Sequence, residues 1–198
     1  MSANLRFNLT LAIALLGAAT TASVCAQPKP AVAAQLLPLG SEIVFITKQM
    51  SVPVEGRFGK FSANIQLDPK KPETGNISFS IDTGSARFGS AETDREVPKP
   101  EWLNVPKFPQ ATFQSTAIKG TGAGKFEVAG KLSIKGSTRD VVVPVQLTPG
   151  AGAATATGSF AIKRLEFKIG EGDWTDTSIV ANDVQVRFKL QIKDLGAL

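Results

Sequence analysis

Hydrophobic and polar residues alternate at period two along most of this chain, and residues 125–147 show it most fully. Phe126, Val128, Gly130, Leu132 and Ile134 fall on one side; Glu127, Ala129, Lys131, Ser133 and Lys135 fall on the other. Beyond a turn at Gly136 and Ser137, Val141, Val143, Val145 and Leu147 return to the apolar side. Successive side chains on a strand point to opposite faces, so this pattern predicts a β-hairpin with one dry face and one solvated face. A lone hairpin cannot bury such a face. The dry face must therefore meet another packed sheet or a ligand.

The same period recurs on both sides of the hairpin. Residues 42–49 predict a first strand rich in β-branched side chains, followed by a turn near Val52, Pro53 and Val54. Residues 56–68 predict a long second strand, with Phe61, Ala63, Ile65 and Leu67 on one face and Gly59 marking a bend or bulge. Further strands are expected at 76–82 (Ile77, Phe79, Ile81), at 111–119 (Phe113) and at 155–163 (Phe160, Ile162). The last, at 183–193, places Val184, Val186, Phe188, Leu190 and Ile192 on one face. Residues 91–103 lose the period; they are charged, and Pro98 and Pro100 confine any helix there to a short turn.

The expected fold is all-β: about eight antiparallel strands joined mostly by short links, with a short helical or irregular excursion across one end. A closed up-and-down barrel and a two-sheet sandwich both satisfy the pattern. Strands of about ten residues with internal glycines (Gly56, Gly59, Gly130) favour the curved, closed form.

The opening of the 198-residue chain stands apart from this pattern. Arg6 precedes an apolar run at 9–19 that is too short to span a bilayer, and Val24, Cys25 and Ala26 offer a cleavage site before Gln27. Residues 1–26 are expected to be a secretory signal peptide. Residues 27–40, rich in Pro and Ala, are then a flexible lead-in, 41–193 the folded domain and 194–198 a tail. Cys25 is the single cysteine, so the mature chain can form no internal disulfide.

Composition removes several function classes. The formal charge is +5 with Lys and Arg scattered, whereas nucleic-acid binding needs a clustered basic patch. There is no histidine. Its absence, with that of a mature cysteine, removes the Ser-His-Asp triad, thiolate catalysis and the commonest transition-metal ligands. Glu171, Asp173 and Asp176 form the densest acidic loop, but it lacks the EF-hand pattern and reads as solvated. No catalytic residue, metal site or cofactor is expected, and the chain does not read as an enzyme.

What remains is the apolar face. Phe61, Ile65, Ile77, Phe79, Phe113, Phe126, Leu132, Val141, Val143, Phe160, Val184, Val186 and Phe188 are its candidate ligand-binding residues. A filled core and a lipid tunnel use the same residue types, so periodicity leaves both open.

Several segments, in order, resemble the YceI-like family. They are Gly56-Arg-Phe-Gly-Lys-Phe61 followed by Asp68-Pro69; Ile81-Asp-Thr83; Asp94 with Val97, Trp102, Leu103 and Asn104; and Phe108-Pro-Gln-Ala-Thr-Phe-Gln-Ser115. Gly130-Lys-Leu-Ser-Ile-Lys-Gly-Ser-Thr138, Arg164-Leu-Glu-Phe167 and Asp183-Val184 complete the set, which runs from Ser41 to Ile192. The resemblance implies a periplasmic, lipocalin-like barrel whose lumen holds a long isoprenoid chain, of polyprenyl phosphate or quinone type. Many members carry His where this chain has Gln49, and others at positions such as Glu96, so a head-group or metal role resting on those histidines does not transfer. The resemblance also suggests an alternative: an accessory or stress-response module with a membrane protein partner such as a b-type cytochrome. A homodimer is a further assembly it leaves open.

Overall fold

Two bent strands set the architecture. The structure, a computed structural model, describes residues 33–196. The expected signal peptide and the start of the lead-in lie outside the described residues. Ten strands are present among the described residues: β1 (Gln35–Gln49), β2 (Val52–Phe58), β3 (Phe61–Gln66), β4 (Asn76–Asp82), β5 (Ala86–Arg87), β6 (Gln110–Gly122), β7 (Lys125–Ile134), β8 (Ser137–Thr148), β9 (Ala154–Lys163) and β10 (Asp183–Lys193). They form one antiparallel sheet in the order β3-β4-β6-β7-β8-β9-β10-β1-β2-β5.

The sheet closes because its two ends are the same stretches of chain. β2 and β3 are one strand bent at Gly59–Lys60. β4 and β5 are likewise one strand interrupted by a 3₁₀ turn at Thr83–Ser85. Across both interruptions the two stay bonded: the Gly59 amide donates to the Ser85 carbonyl at 3.2 Å, and the Asp82 amide to the Lys60 carbonyl at 3.0 Å. At the far end of the seam the Ala34 amide donates to the Ile65 carbonyl at 2.8 Å. Counted this way, the ten strands are the eight staves of an up-and-down barrel. Closure leaves few edges on which another strand could pair.

The strand boundaries differ from expectation in instructive places. β1 begins at Gln35, inside the expected lead-in. Gln35, Leu36 and Leu37 pair with Lys193, Ile192 and Gln191, beyond a bulge that contains Gly40 at φ 83°. Pro38 and Gly40 give that bulge the composition of a linker. The first hairpin turns at Met50–Ser51, not near 52–54. Both residues have positive φ, and Val52 already pairs with Gln49. Pro53 is tolerated in β2 because the opposite edge is paired with β5 only at Arg57 and Phe58. The central hairpin turns at Lys135–Gly136, again with both φ positive, and Ser137 is in β8. These are two-residue turns of the type whose twist matches the flanking strands. In β6 the alternation slips at Thr116, where the register to β7 shifts between Ser115 and Ala117. The excursion contains the six-residue helix α1 (Ala91–Glu96), capped by the Ser90 side chain.

Inside the barrel, three phenylalanine rings lie against glycines on the adjacent strand. They are Phe45 over Gly56, Phe113 over Gly130 and Phe188 over Gly158; a Cβ at any of these glycines would collide with the ring. An alanine there must push the ring toward the interior. Gly158→Ala is expected to destabilise the fold by about 1–3 kcal/mol, the usual cost of overpacking, read as a lowered midpoint in urea. Gly122→Ala, where the nearest atom to an added Cβ is 3.8 Å away, is expected to change stability by less than about 0.5 kcal/mol.

Candidate functional site

The inward faces of β1, β3, β4 and β6–β10 enclose two chambers that share Ile43, Ile81, Leu132, Phe160 and Val186. The inner chamber, of about 140 Å³, lies toward the end carrying the β6–β7 turn and the β8–β9 loop. All twenty side chains that line it are apolar. Phe79, Phe113, Phe160 and Phe188 line it and are only half-buried. Large side chains on the inner face of a closed sheet would be fully buried if the interior were filled. Their residual exposure faces the chamber, which a native core packed to crystal-like density would not contain.

Of the residues expected from the sequence, Ile65, Ile77, Phe79, Phe113, Phe126, Leu132, Val143, Phe160, Val186 and Phe188 line the inner chamber. Val184 lines the outer one. Phe61 and Val141 line neither. Phe61 directly follows the strand bend and packs against the cluster around Ile65 and Ile118. Val141 packs against the cluster of Leu132, Ile162 and Phe167. Sequence reasoning missed Phe45, Phe58 and Phe88; the Phe45 ring meets Phe58 at a tilt and Phe88 edge-to-face, at centroid distances of 4.9 and 5.0 Å, beside the outer chamber. Residues 42–49 are apolar on both faces, so no alternation marked Phe45 as inward.

The outer chamber, of about 490 Å³, is the mouth. Its wall mixes apolar and polar groups: Phe45, Thr47 and Gln49 from β1, Glu92, Thr93 and Glu96 from α1, Trp102 and Leu103, and Arg164, Trp174, Ile179 and Val180 from the segment between β9 and β10. The two irregular segments that roof it are tied together. The Gly170 and Glu171 amides both donate to the Glu101 carbonyl, at 2.8 and 2.9 Å. The Trp102 and Trp174 rings meet at 5.2 Å.

Arg164 holds the second of these segments. It is 1% exposed. Its Nε donates to Ala181 O at 3.1 Å, Nη1 to Ile169 O and Gly170 O at 2.9 and 3.2 Å, and Nη2 to Trp174 O and Val180 O at 2.6 and 2.7 Å. Each of the five guanidinium N–H groups is thus given to a carbonyl, none to a carboxylate. Burial pushes its pKa below the ordinary arginine range. Gly170, at φ 78°, lies so close to Nη1 that a side chain there would displace the guanidinium.

A second tie involves Lys135, the 5%-exposed residue at the tip of the central hairpin. Its Nζ donates to Lys168 O at 2.6 Å and to Glu171 Oε2 at 2.8 Å. The hydrogen bond from Lys135 holds the Glu171 carboxyl below its ordinary range. Asp176 is also held low, by hydrogen bonds from the Ser178 side chain and amide. Among the described residues no group of three or more His, Cys, Asp or Glu side chains is placed to hold a metal ion.

An antiparallel barrel closed around an apolar chamber, with its mouth roofed by two irregular segments, defines a barrel of the lipocalin type. The sequence profile of the YceI-like domain matches residues 35–192, and the chain belongs to the YceI-like family. It is 38% identical over 88 residues to a UPF0312 protein of Azotobacter vinelandii, covering 44% of this chain and 46% of that relative. The match thus spans about half of the relative's length. A UPF0312 protein of Vibrio cholerae serotype O1 is 28% identical over 142 residues, 67% of this chain and 75% of that protein. Among solved structures, BcnA of Burkholderia cenocepacia superimposes with a TM-score of 0.77 at 40% identity, covering 79% of this chain and 99% of that one. A polyisoprenoid binding domain from Saccharophagus degradans shares the fold with a TM-score of 0.66 at 15% identity, covering 81% and 97%.

Two outcomes follow from the ties at the mouth. Arg164→Lys supplies at most three donors for five carbonyls. Amide hydrogen exchange in residues 170–181 is expected to accelerate at least tenfold, while β7 and β8 stay protected. Because Lys135 lowers the Glu171 pKa, that pair contributes fully above the ordinary carboxylate range, and its contribution is lost as pH falls through the lowered value. On acidification, tryptophan fluorescence from Trp102 and Trp174 is expected to shift only once the pH has fallen below the ordinary carboxylate range, and Glu171→Gln to remove that step.

Proposed function

We propose that this protein is a periplasmic carrier or sequestering protein for an isoprenoid lipid, of polyprenyl phosphate or quinone type. The tail occupies the inner chamber and the head group the mouth. The observation that carries this reading is the inner wall: twenty apolar side chains around a space their own rings do not fill. Each buried CH₂ of a tail there gains about 0.8 kcal/mol over water, and nothing in the wall competes for a polar ligand. The polyisoprenoid binding domain of Saccharophagus degradans, with the same fold, supports the choice of an isoprenoid. The leader-like pattern of residues 1–26 supports export. The absence of histidine and of a mature cysteine supports a binding role over catalysis.

Native mass spectrometry of protein purified from the periplasm, followed by organic extraction, tests this directly. Near one isoprenoid per chain is expected. A chain that stays at its apo mass after incubation with quinones and polyprenyl phosphates would overturn the carrier reading. Val186→Thr and Val143→Thr each put a hydroxyl into the wall with little change of shape, which costs roughly 1–3 kcal/mol if it finds no partner. Both are expected to reduce lipid retention; unchanged retention in both would mean that the tail lies elsewhere.

A further inference from the structure

We propose that the rim of the mouth is a docking surface for a lipid bilayer of zwitterionic headgroups, and that Met50, Val52, Trp174 and Ile179 are the side chains that enter it. The choice of partner rests on the carrier reading; the surface itself is read from exposure and position. Met50 is 75% exposed and Val52 62%, and Trp174 and Ile179 are exposed as well. Large apolar side chains gathered on one surface mark a site of contact with a protein or a membrane. The backbone brings these four together. The Met50 amide donates to the Ile179 carbonyl at 2.8 Å. Val52 pairs with Gln49, which also bridges to Val180. The Trp174 and Val180 carbonyls accept from the same Arg164 nitrogen, at 2.6 and 2.7 Å. Met50 holds positive φ in a two-residue turn of a kind that favours asparagine and glycine. The tip of the hairpin thus presents a methionine to solvent where a polar residue would fold more easily.

What lies behind the rim favours a bilayer over a protein. Met50, Trp174 and Ile179 are exposed to solvent and also line the outer chamber, which shares part of its wall with the apolar inner one. The rim is therefore the outer end of a continuous apolar wall, and a lipid moving between barrel and solvent crosses it. Pressed into a bilayer, the same side chains leave water and the chamber opens toward acyl chains, so a tail passes without being solvated. Tryptophan suits this boundary, with an apolar body and one N–H donor. Charge sets the kind of bilayer. Lys48 is exposed at this end, its carbonyl accepting from the Ala181 amide. Against it stand Asp173 and Asp176, exposed on either side of Trp174, and Glu92 in the chamber wall. Lys99 and Lys163 are paired with Glu96 and Asp183, and Arg164 and Lys135 are committed as described. Anionic headgroups thus find little to attract them, and burial of the apolar rim supplies the binding.

The test is co-flotation of protein purified from the periplasm with vesicles of phosphatidylethanolamine and phosphatidylcholine that contain no isoprenoid. Binding is expected, and adding phosphatidylglycerol is expected to change it by less than about twofold. Val52 lines neither chamber, and Val142, 58% exposed on the outward row of β8, provides a control of the same residue type away from the mouth. Val52→Asp is expected to weaken vesicle binding about tenfold and Val142→Asp to leave it unchanged. Both sites are exposed, so neither substitution disturbs the core. Absence of vesicle binding would overturn the proposal. So would equal effects of the two substitutions, or binding that requires phosphatidylglycerol and disappears in salt. Isoprenoid retention is read separately by native mass spectrometry. Retention without vesicle binding removes the docking surface and leaves the carrier reading standing; vesicle binding without retention keeps the surface and removes the cargo.

Discussion

The open interior depends on rings set against glycines. In a sheet closed on itself, every inward side chain competes for the same space, and a barrel of about eight strands is at the size where side chains can fill it. Phe45, Phe113 and Phe188 are large enough to do so. Each is set beside a glycine on the neighbouring strand, Gly56, Gly130 and Gly158, where the missing Cβ leaves a recess the ring occupies. The rings become part of the wall, and space remains along the axis. The same aromatic side chains therefore supply the hydrophobic payload that holds the barrel together and the lining of its cavity. Closure and openness are linked: strands bent at Gly59–Lys60 and at Thr83–Ser85 allow the sheet to meet its own end.

Much of this was legible in the sequence because a sheet with one wet face writes itself at period two. Strands 76–82 and 183–193 match β4 and β10 residue for residue, since both alternate without interruption. The count of eight holds once each bent strand is taken as one stave. Legibility failed where the backbone did something the side chains do not report. Met50 and Ser51 take positive φ in a tight turn with no glycine or asparagine to announce it. The bulge before Glu42 hid the first part of β1 behind Pro38 and Gly40. The slip at Thr116 moved the inward row of β6 from Ala111, Phe113 and Ser115 onto Ile118.

The chamber itself was legible only as an ambiguity. A list of inward apolar residues does not say whether they touch across the axis; that is a matter of ring orientation and of which glycine lies opposite. The mouth was less legible still. Arg164 resembles any surface arginine in sequence, because its partners are five backbone carbonyls spread from Ile169 to Ala181 and carry no side-chain signature. A guanidinium suits such a cluster, since its planar fork satisfies several carbonyls at once in fixed directions, which an ammonium cannot. Its charge remains without a carboxylate partner, spread over carbonyl dipoles, and its donors are spent on the rim.

That arrangement bears on what the barrel can hold. Along the inward row of β1 the side chains run Ile43, Phe45, Thr47, Gln49, from the boundary of the apolar chamber to the mouth. One strand thus carries a gradient from hydrocarbon-like to hydrogen-bonding surface. A ligand with a matching gradient has a single favoured orientation, tail inward, because reversing it would strand a polar group among twenty apolar side chains. The rim continues the gradient with amphipathic tryptophans, Trp102 and Trp174, at the level where apolar wall gives way to solvent. Orientation in such a site comes from the wall as a whole, not from any single contact.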